Sequence, residues 1–222
     1  MKKTAIVIGA TGLVGSKLVG LLLADSRFEN VKVFVRRSTG LHNDKLEEHV
    51  VNFDEPDTWK KLVKGDVLYS AMGTTLKAAG GKDAQYKVDY TYQYQTAKIA
   101  AANNVQTYVL VSAAGSNPSS KIFYSRIKGE LECEIKKLPF EKIDIIRPGM
   151  LGSGRKDIRT GEQLGIGVMK AISLIPGLAS LKPIEGKEVA QAMINATFKR
   201  DLGIHSYTMG AVFKLAYPNL KN

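Results

Sequence analysis

Ile6-Val7-Ile8-Gly9-Ala10-Thr11-Gly12-Leu13-Val14-Gly15 is the stretch on which the reading of this chain turns. An apolar run ends in three glycines spaced by three, and a helical pattern opens as they finish. Each glycine has a separate physical task. Gly9 permits a tight turn, Gly12 lets backbone approach a pyrophosphate, and Gly15 allows a helix to pack closely on the strand. The helix start offers unpaired N–H groups and a positive dipole end to phosphate oxygens. The spacing is G-x-x-G-x-x-G rather than G-x-G-x-x-G. A bland Gly-rich strand–helix turn has the same look, but this one sits in the first strand–helix–strand unit, which favours a dinucleotide. A P-loop needs Lys directly after its last glycine, and Lys17 stands two places beyond Gly15.

Outward from the turn, short β-branched runs alternate with longer helical patterns. Strands are expected at 4–8, 31–35, 50–53, 66–71, 107–112 and 142–147, and helices near 13–24, 56–64, 84–104 and 123–138. Such alternation implies a parallel sheet covered on both faces, an α/β doubly wound sheet of the Rossmann type. After Pro148 the chain becomes Gly-rich and charged. Helices are expected at 163–174 and 186–199 and a late strand at 204–209. Residues 1–222 are therefore read as one NAD(P)-binding domain, in which 149–222 supply a small cover over the strand ends, where ligands bind.

Bulk composition agrees with one soluble domain. The chain has 222 residues, 44% hydrophobic and 24% charged, enough for a sizeable single core. Its net charge is +11, but the basic residues come in scattered pairs without a nucleic-acid motif, which argues against nucleic acid as the main partner. One cysteine, Cys133, fits a reducing compartment. The N-terminus has the outline of a signal peptide, yet three glycines and Lys17 interrupt it, and no apolar segment is long enough to cross a bilayer. The expectation is a cytoplasmic protein with no membrane partner.

At the end of the second strand an NAD-preferring site carries an acid for the ribose 2′-hydroxyl. Here the chain reads Phe34-Val35-Arg36-Arg37-Ser38. Two guanidinium groups suit a 2′-phosphate instead, so NADP(H) is expected, against the bland account of two solvated arginines. Asp54 either accepts from the adenine amino group or caps a loop before Pro56. Gly73, in Met72-Gly73-Thr74-Thr75, lets the cofactor pass close to the backbone after the fourth strand.

Phe123-Tyr124-Ser125-Arg126-Ile127-Lys128-Gly129-Glu130 opens the helix after the fifth strand. Tyr124 and Lys128 are four apart and share a helix face. A phenol is a poor acid–base group near neutrality, and a neighbouring ammonium favours its ionised form. Lys128 also reaches a nicotinamide ribose in this arrangement. A surface i,i+4 pair is the competing account.

Together these motifs, with Val88-Asp89 and Arg147-Pro148-Gly149, resemble an atypical short-chain dehydrogenase/reductase, in an NAD(P)-binding Rossmann subgroup similar to the Tat-interacting oxidoreductase-like protein family. The resemblance covers nearly the whole chain. It implies that Thr11, Gly12, Leu13 and Val14 contact the pyrophosphate, and Arg36 and Arg37 the 2′-phosphate. Met72 and Gly73 line the adenosine side, Tyr124 and Lys128 meet the nicotinamide ribose, Leu151 lies beside the nicotinamide, and Arg159 arches back over the cofactor. The superfamily generally has a catalytic Ser or Thr just after strand five. This chain reads Val111-Ser112-Ala113-Ala114-Gly115-Ser116, so Ser112 is the nearest candidate, and Ser116 a substitute, while the usual position falls on alanine.

His42, His49, His205 and Cys133 show no metal-ligand spacing, and no metal is expected. Tyr86, Tyr90 and Tyr94 form a stripe on one helix, read first as core or subunit packing, so the chain is a monomer or a homodimer. Two functions remain open. One is an NADP(H)-dependent oxidoreductase acting on a small carbonyl or alcohol substrate. The other is a non-catalytic NADP(H)-binding redox sensor acting through a protein partner.

Overall fold

The computed structural model describes residues 1–152 and 183–218. Seven parallel strands form one sheet in the order β3-β2-β1-β4-β5-β6-β7. They are β1 (Lys3–Ile8), β2 (Phe28–Val35), β3 (Leu46–Val50), β4 (Val67–Ser70), β5 (Thr107–Val111), β6 (Lys142–Arg147) and β7 (Gly203–Thr208). The chain leaves β1 for β2 on one side and later returns to β4 on the other, which opens a crevice at the carboxyl ends of β1 and β4.

Period-two alternation along each strand divides the core. Ala5 and Val7 of β1 face a cluster with Val33, Val67, Val109 and Ile146, closed by α1 (Gly15–Ala24) and a helix at Gly186–Thr197. Ile6 and Ile8 face the opposite cluster, with Leu68, Leu110 and Ile145 under helices Tyr92–Ala102 and Phe123–Ile135. The helices are numbered α1, then α2 (Leu76–Ala79), α3 (Lys82–Tyr86), α4 (Tyr92–Ala102), α5 (Phe123–Ile135), α6 (Gly186–Thr197) and α7 (Gly210–Ala216).

Three elements differ from the sequence expectation. The third strand is Leu46–Val50, not 50–53. Among the described residues it is an edge strand paired only with β2, so it tolerates the polar, half-buried Glu47-Glu48-His49 that hid it. Residues 56–64 form two short 3₁₀ turns, Pro56–Thr58 and Lys60–Leu62, around the buried Trp59, whose indole N–H donates to Asn52 O at 2.8 Å. The long helix at 84–104 starts earlier and is interrupted: α3 passes into α4 through one π-helical stretch, Lys87–Thr91.

Of the expected C-terminal cover, residues 153–182 lie outside the described residues, and so does the helix expected at 163–174. The described part joins the sheet layers. The buried Lys142 Nζ of β6 donates to Ala196 O and Lys199 O, both at 2.7 Å, and so ties the carboxyl end of α6 to the sheet.

Candidate functional site

The glycine turn is forced by its neighbours. Gly9 has φ +81°, and a Cβ there would lie 2.5 Å from the Ala71 and Met72 backbone, so the turn after β1 lies in contact with the chain leaving its parallel neighbour β4. A Cβ on Gly15 would come within 2.0 Å of Gly9 O, so α1 starts directly on the turn. The first turn of α1 carries no acid and no side-chain cap, which leaves its positive end available to an anion. Thr11 is exposed and Leu13 half-buried; the Val14 side chain is buried, so Val14 offers only backbone. These residues fit a pyrophosphate.

Arg36 and Arg37 are exposed just past β2, and neither pairs with a carboxylate among the described residues. With Thr11 and Ser38 they line a cavity of about 280 Å³. A second cavity of about 210 Å³ adjoins it, sharing Arg36 and walled by Thr74, Ala78, Ala84, Lys87 and Val88. Asp54 reaches this region, but its Oδ1 already accepts from Lys87 Nζ at 2.7 Å and from the Tyr92 hydroxyl at 3.0 Å. Lys87 chiefly holds the Asp54 carboxyl below its usual range.

Tyr124 and Lys128 share a face of α5, with Lys128 Nζ 5.9 Å from the Tyr124 ring centroid. Tyr124 is 41% exposed while Lys128 is buried. The ammonium is paired with Asp89 of the π-helical stretch, Nζ to Oδ1 2.9 Å. Burial works against the charged form, and Asp89, with Tyr124 and Glu132 behind it, outweighs that cost, so Lys128 is held above the ordinary lysine range. Gly73 lies over this pair: a Cβ there would be 3.3 Å from Asp89 Oδ1 and 3.9 Å from Lys128 Nζ. Half-buried Met72 packs on the core beside it.

Ser112 is at the end of β5, but its hydroxyl is engaged elsewhere. Ser112 Oγ donates to Glu132 Oε1 at 2.5 Å, and Ser116 Oγ donates to the same oxygen at 2.6 Å. Arg147 Nε adds a third donor at 3.0 Å, and its Nη2 pairs with Glu132 Oε2. Glu132, buried on α5, thus gathers the ends of β5 and β6. Leu151 is half-buried and forms a parallel bridge to Ile184. Arg159 lies outside the described residues.

The structure therefore brings together the glycine turn, Met72, Gly73, Tyr124 and Lys128, with Arg36, Arg37 and Asp54 grouped around the two adjoining cavities. Two residues were missed as participants. Asp89 had no assigned role, although an acid beside apolar Val88 at a helix entry is a signal. Glu132 follows Lys128 by four positions and Tyr124 by eight, which puts all three on one helix face.

A family model described as NAD(P)H-binding matches residues 9–164. The chain belongs to this family.

This NAD(P)H-binding protein has relatives that align over most of its length. Protein FMP52-1, mitochondrial, of Scheffersomyces stipitis is 36% identical over 87% of this chain and 87% of its own. Protein FMP52, mitochondrial, of Candida albicans is 33% identical over 86% of each chain. Among solved structures, the Bordetella bronchiseptica enzyme WbmH in complex with NAD+ superposes with TM-score 0.71 at 14% identity, covering 94% of this chain and 76% of that one. A short-chain dehydrogenase/reductase superfamily protein from Agrobacterium tumefaciens with bound NAD gives TM-score 0.67 at 14% identity, covering 93% and 77%. At that identity the likeness is one of fold, and the doubly wound sheet is the short-chain dehydrogenase type that the motifs implied.

One expectation is corrected by these relatives. The cytoplasmic assignment fails against a set of full-length relatives named as mitochondrial. A lone cysteine separates oxidising from reducing compartments, but does not separate one reducing compartment from another. Among the described residues, no helix is long and apolar enough to cross a membrane, and no three His, Cys, Asp or Glu residues are grouped to hold a metal ion.

Proposed function

We propose that this NAD(P)H-binding protein is an NADP(H)-dependent oxidoreductase of the atypical short-chain type, acting on a small carbonyl or alcohol. The observation that carries the cofactor preference is a pair of guanidinium groups, Arg36 and Arg37, that have no carboxylate partner among the described residues and line one cavity with Thr11 and Ser38. No acid stands at the end of β2 to receive a ribose 2′-hydroxyl, and two arginines suit a doubly charged 2′-phosphate. Backbone of the 9–15 turn and the α1 start hold the pyrophosphate. Lys128 donates to the nicotinamide ribose. When bound, the dinucleotide supplies or accepts the hydride. Tyr124, exposed where Lys128 is buried, gives a proton to the carbonyl oxygen or takes one from the alcohol.

The test is calorimetric titration with NADPH and NADH at fixed salt. Micromolar NADPH affinity that falls at least about tenfold in Arg36→Ala/Arg37→Ala, with NADH weak throughout, supports the assignment. Equal affinity for both dinucleotides removes the arginine argument, and binding of neither removes the oxidoreductase.

A second reading has its own observation. The hydroxyls of Ser112 and Ser116 are both spent on Glu132, and the Lys128 charge is already answered by Asp89. This favours a non-catalytic NADP(H) sensor working through a protein partner. Tyr124→Phe separates the two: loss of turnover at unchanged NADPH affinity supports the enzyme.

A further inference from the structure

The only ion pair buried at both ends beside the cleft, among the described residues, is Lys128–Asp89, with side chains 3% and 0% exposed. A lysine ammonium is a compact charge with three donors on a flexible stem, so a partner is needed to aim it. Asp89 is itself immobilised on three sides. Its Oδ2 accepts from the Thr74 backbone N–H at 3.0 Å, and its carbonyl accepts from Gln93 Nε2 at 2.8 Å. Gln93 in turn accepts from Ser70 Oγ of β4 at 2.7 Å. The Gly73 backbone closes over the carboxylate, leaving no room for a side chain without displacing it. One carboxylate thus joins the loop after β4 to the lysine on α5, across the gap where a dinucleotide lies in the reading above.

We propose that Asp89 is a positioning residue: it fixes Lys128 Nζ as a charged, directed donor towards the cofactor ribose and couples it to the Gly73-Thr74 loop. This rests on the NADP(H) assignment. The π-helical winding of Lys87–Thr91 sets Asp89 in that gap, in keeping with the frequent use of such bulges at functional positions. The charged or titratable groups facing Lys128 are Asp89 from the neighbouring helix and Tyr124 and Glu132 from its own. With Asp89 replaced by an amide, only the two α5 groups remain, and burial then favours the neutral amine.

Titration of the whole protein with NADP+ across pH 6–10, together with NMR of ¹³Cε-labelled lysine, tests this. In Asp89→Asn the Lys128 titration midpoint is expected to fall by about one pH unit or more. NADP+ affinity is then expected to fall about tenfold in that variant as Lys128 deprotonates, where the wild type stays flat. Asp89→Glu is expected to recover part of the loss. Should Asp89→Asn not fold, Lys128→Met with and without Asp89→Asn decides, because a residue acting through Lys128 adds nothing once Lys128 is gone. Further weakening by Asp89→Asn in that background overturns the proposal, as does an Asp89→Asn variant that matches wild type at every pH. Wild type that binds no NADP+ at all overturns the cofactor assignment, a different result from wild type that binds and a variant that binds equally well.

Discussion

Ser112 and Glu132 meet at 2.5 Å, strand end to helix, one helical turn beyond Lys128. The hydroxyl that stands nearest to the usual catalytic position is therefore a fastening of α5 to β5. Ser112→Ala should cost about 1 kcal/mol of stability and leave NADPH affinity within about twofold, because Ser116 and Arg147 still hold Glu132. Urea denaturation and titration check it. A hundredfold loss of turnover without loss of stability would return Ser112 to the substrate.

Glu132 itself gives a pH prediction. Burial, the largest influence, pushes its carboxyl up, and the hydrogen bonds from Arg147, Ser112 and Ser116 together outweigh burial and hold it below its ordinary value of 4.5. A depressed folded-state pKa contributes stability that is complete above the unfolded value and is lost as pH falls through the folded one. Glu132→Gln should thus be less stable near neutrality, by about 3 kcal/mol for a broken buried pair. The difference from wild type should shrink below pH 4.5. Urea midpoints at pH 7, 5, 4 and 3 measure it.

Asp144 on β6 has the opposite sign. It is fully buried, neither carboxylate oxygen has a hydrogen-bond partner among the described residues, and Lys142 Nζ is 3.6 Å away. Burial raises its carboxyl above the ordinary 3.8, against the pull of Lys142 and His205. A raised carboxyl favours the fold at low pH, and that contribution is lost as pH rises through the folded value. Asp144→Asn should therefore gain in melting temperature relative to wild type as pH goes from 3 to 7. A constant difference across that range would refute it.

Gly129, next to Lys128, is needed for space. A Cβ there would sit 2.3 Å from Pro118 N and 2.4 Å from Asn117 C, both backbone atoms that no rotamer change relieves. Gly129→Ala should destabilise by about 2–3 kcal/mol through overpacking and weaken NADPH binding as α5 shifts, whereas Gly20→Ala, with nothing within 4 Å, should do neither. Thermal melts of both variants make the comparison.

Much of the fold was legible because β1 and β5 are buried on both faces along most of their length and read as nearly continuous apolar runs. β3 was not, because an edge strand needs no such run and its Glu47-Glu48-His49 looked like a loop. The tight glycine turn between β1 and α1 was readable, since glycine spacing is a local property. That Tyr124 and Lys128 share one face of α5 was readable for the same reason. Asp89 and Glu132 were not, because their partners lie 39 positions away (Lys128) and 20 and 15 positions away (Ser112 and Arg147), and only the packing of α3–α4 and α5 against the sheet brings those distances to zero.

The π-helical stretch at Lys87–Thr91 holds, in effect, one surplus residue in an otherwise regular helix. Removing a single residue there would let the hydrogen-bond ladder close into an unbroken α-helix while turning everything upstream by about 100° relative to α4. The shortened chain would keep its core and gain regularity, and would lose the alignment of Asp89 with Lys128. A homologue one residue shorter at this point would therefore be a natural disconnection of cofactor geometry from folding, written as a gap instead of a substitution.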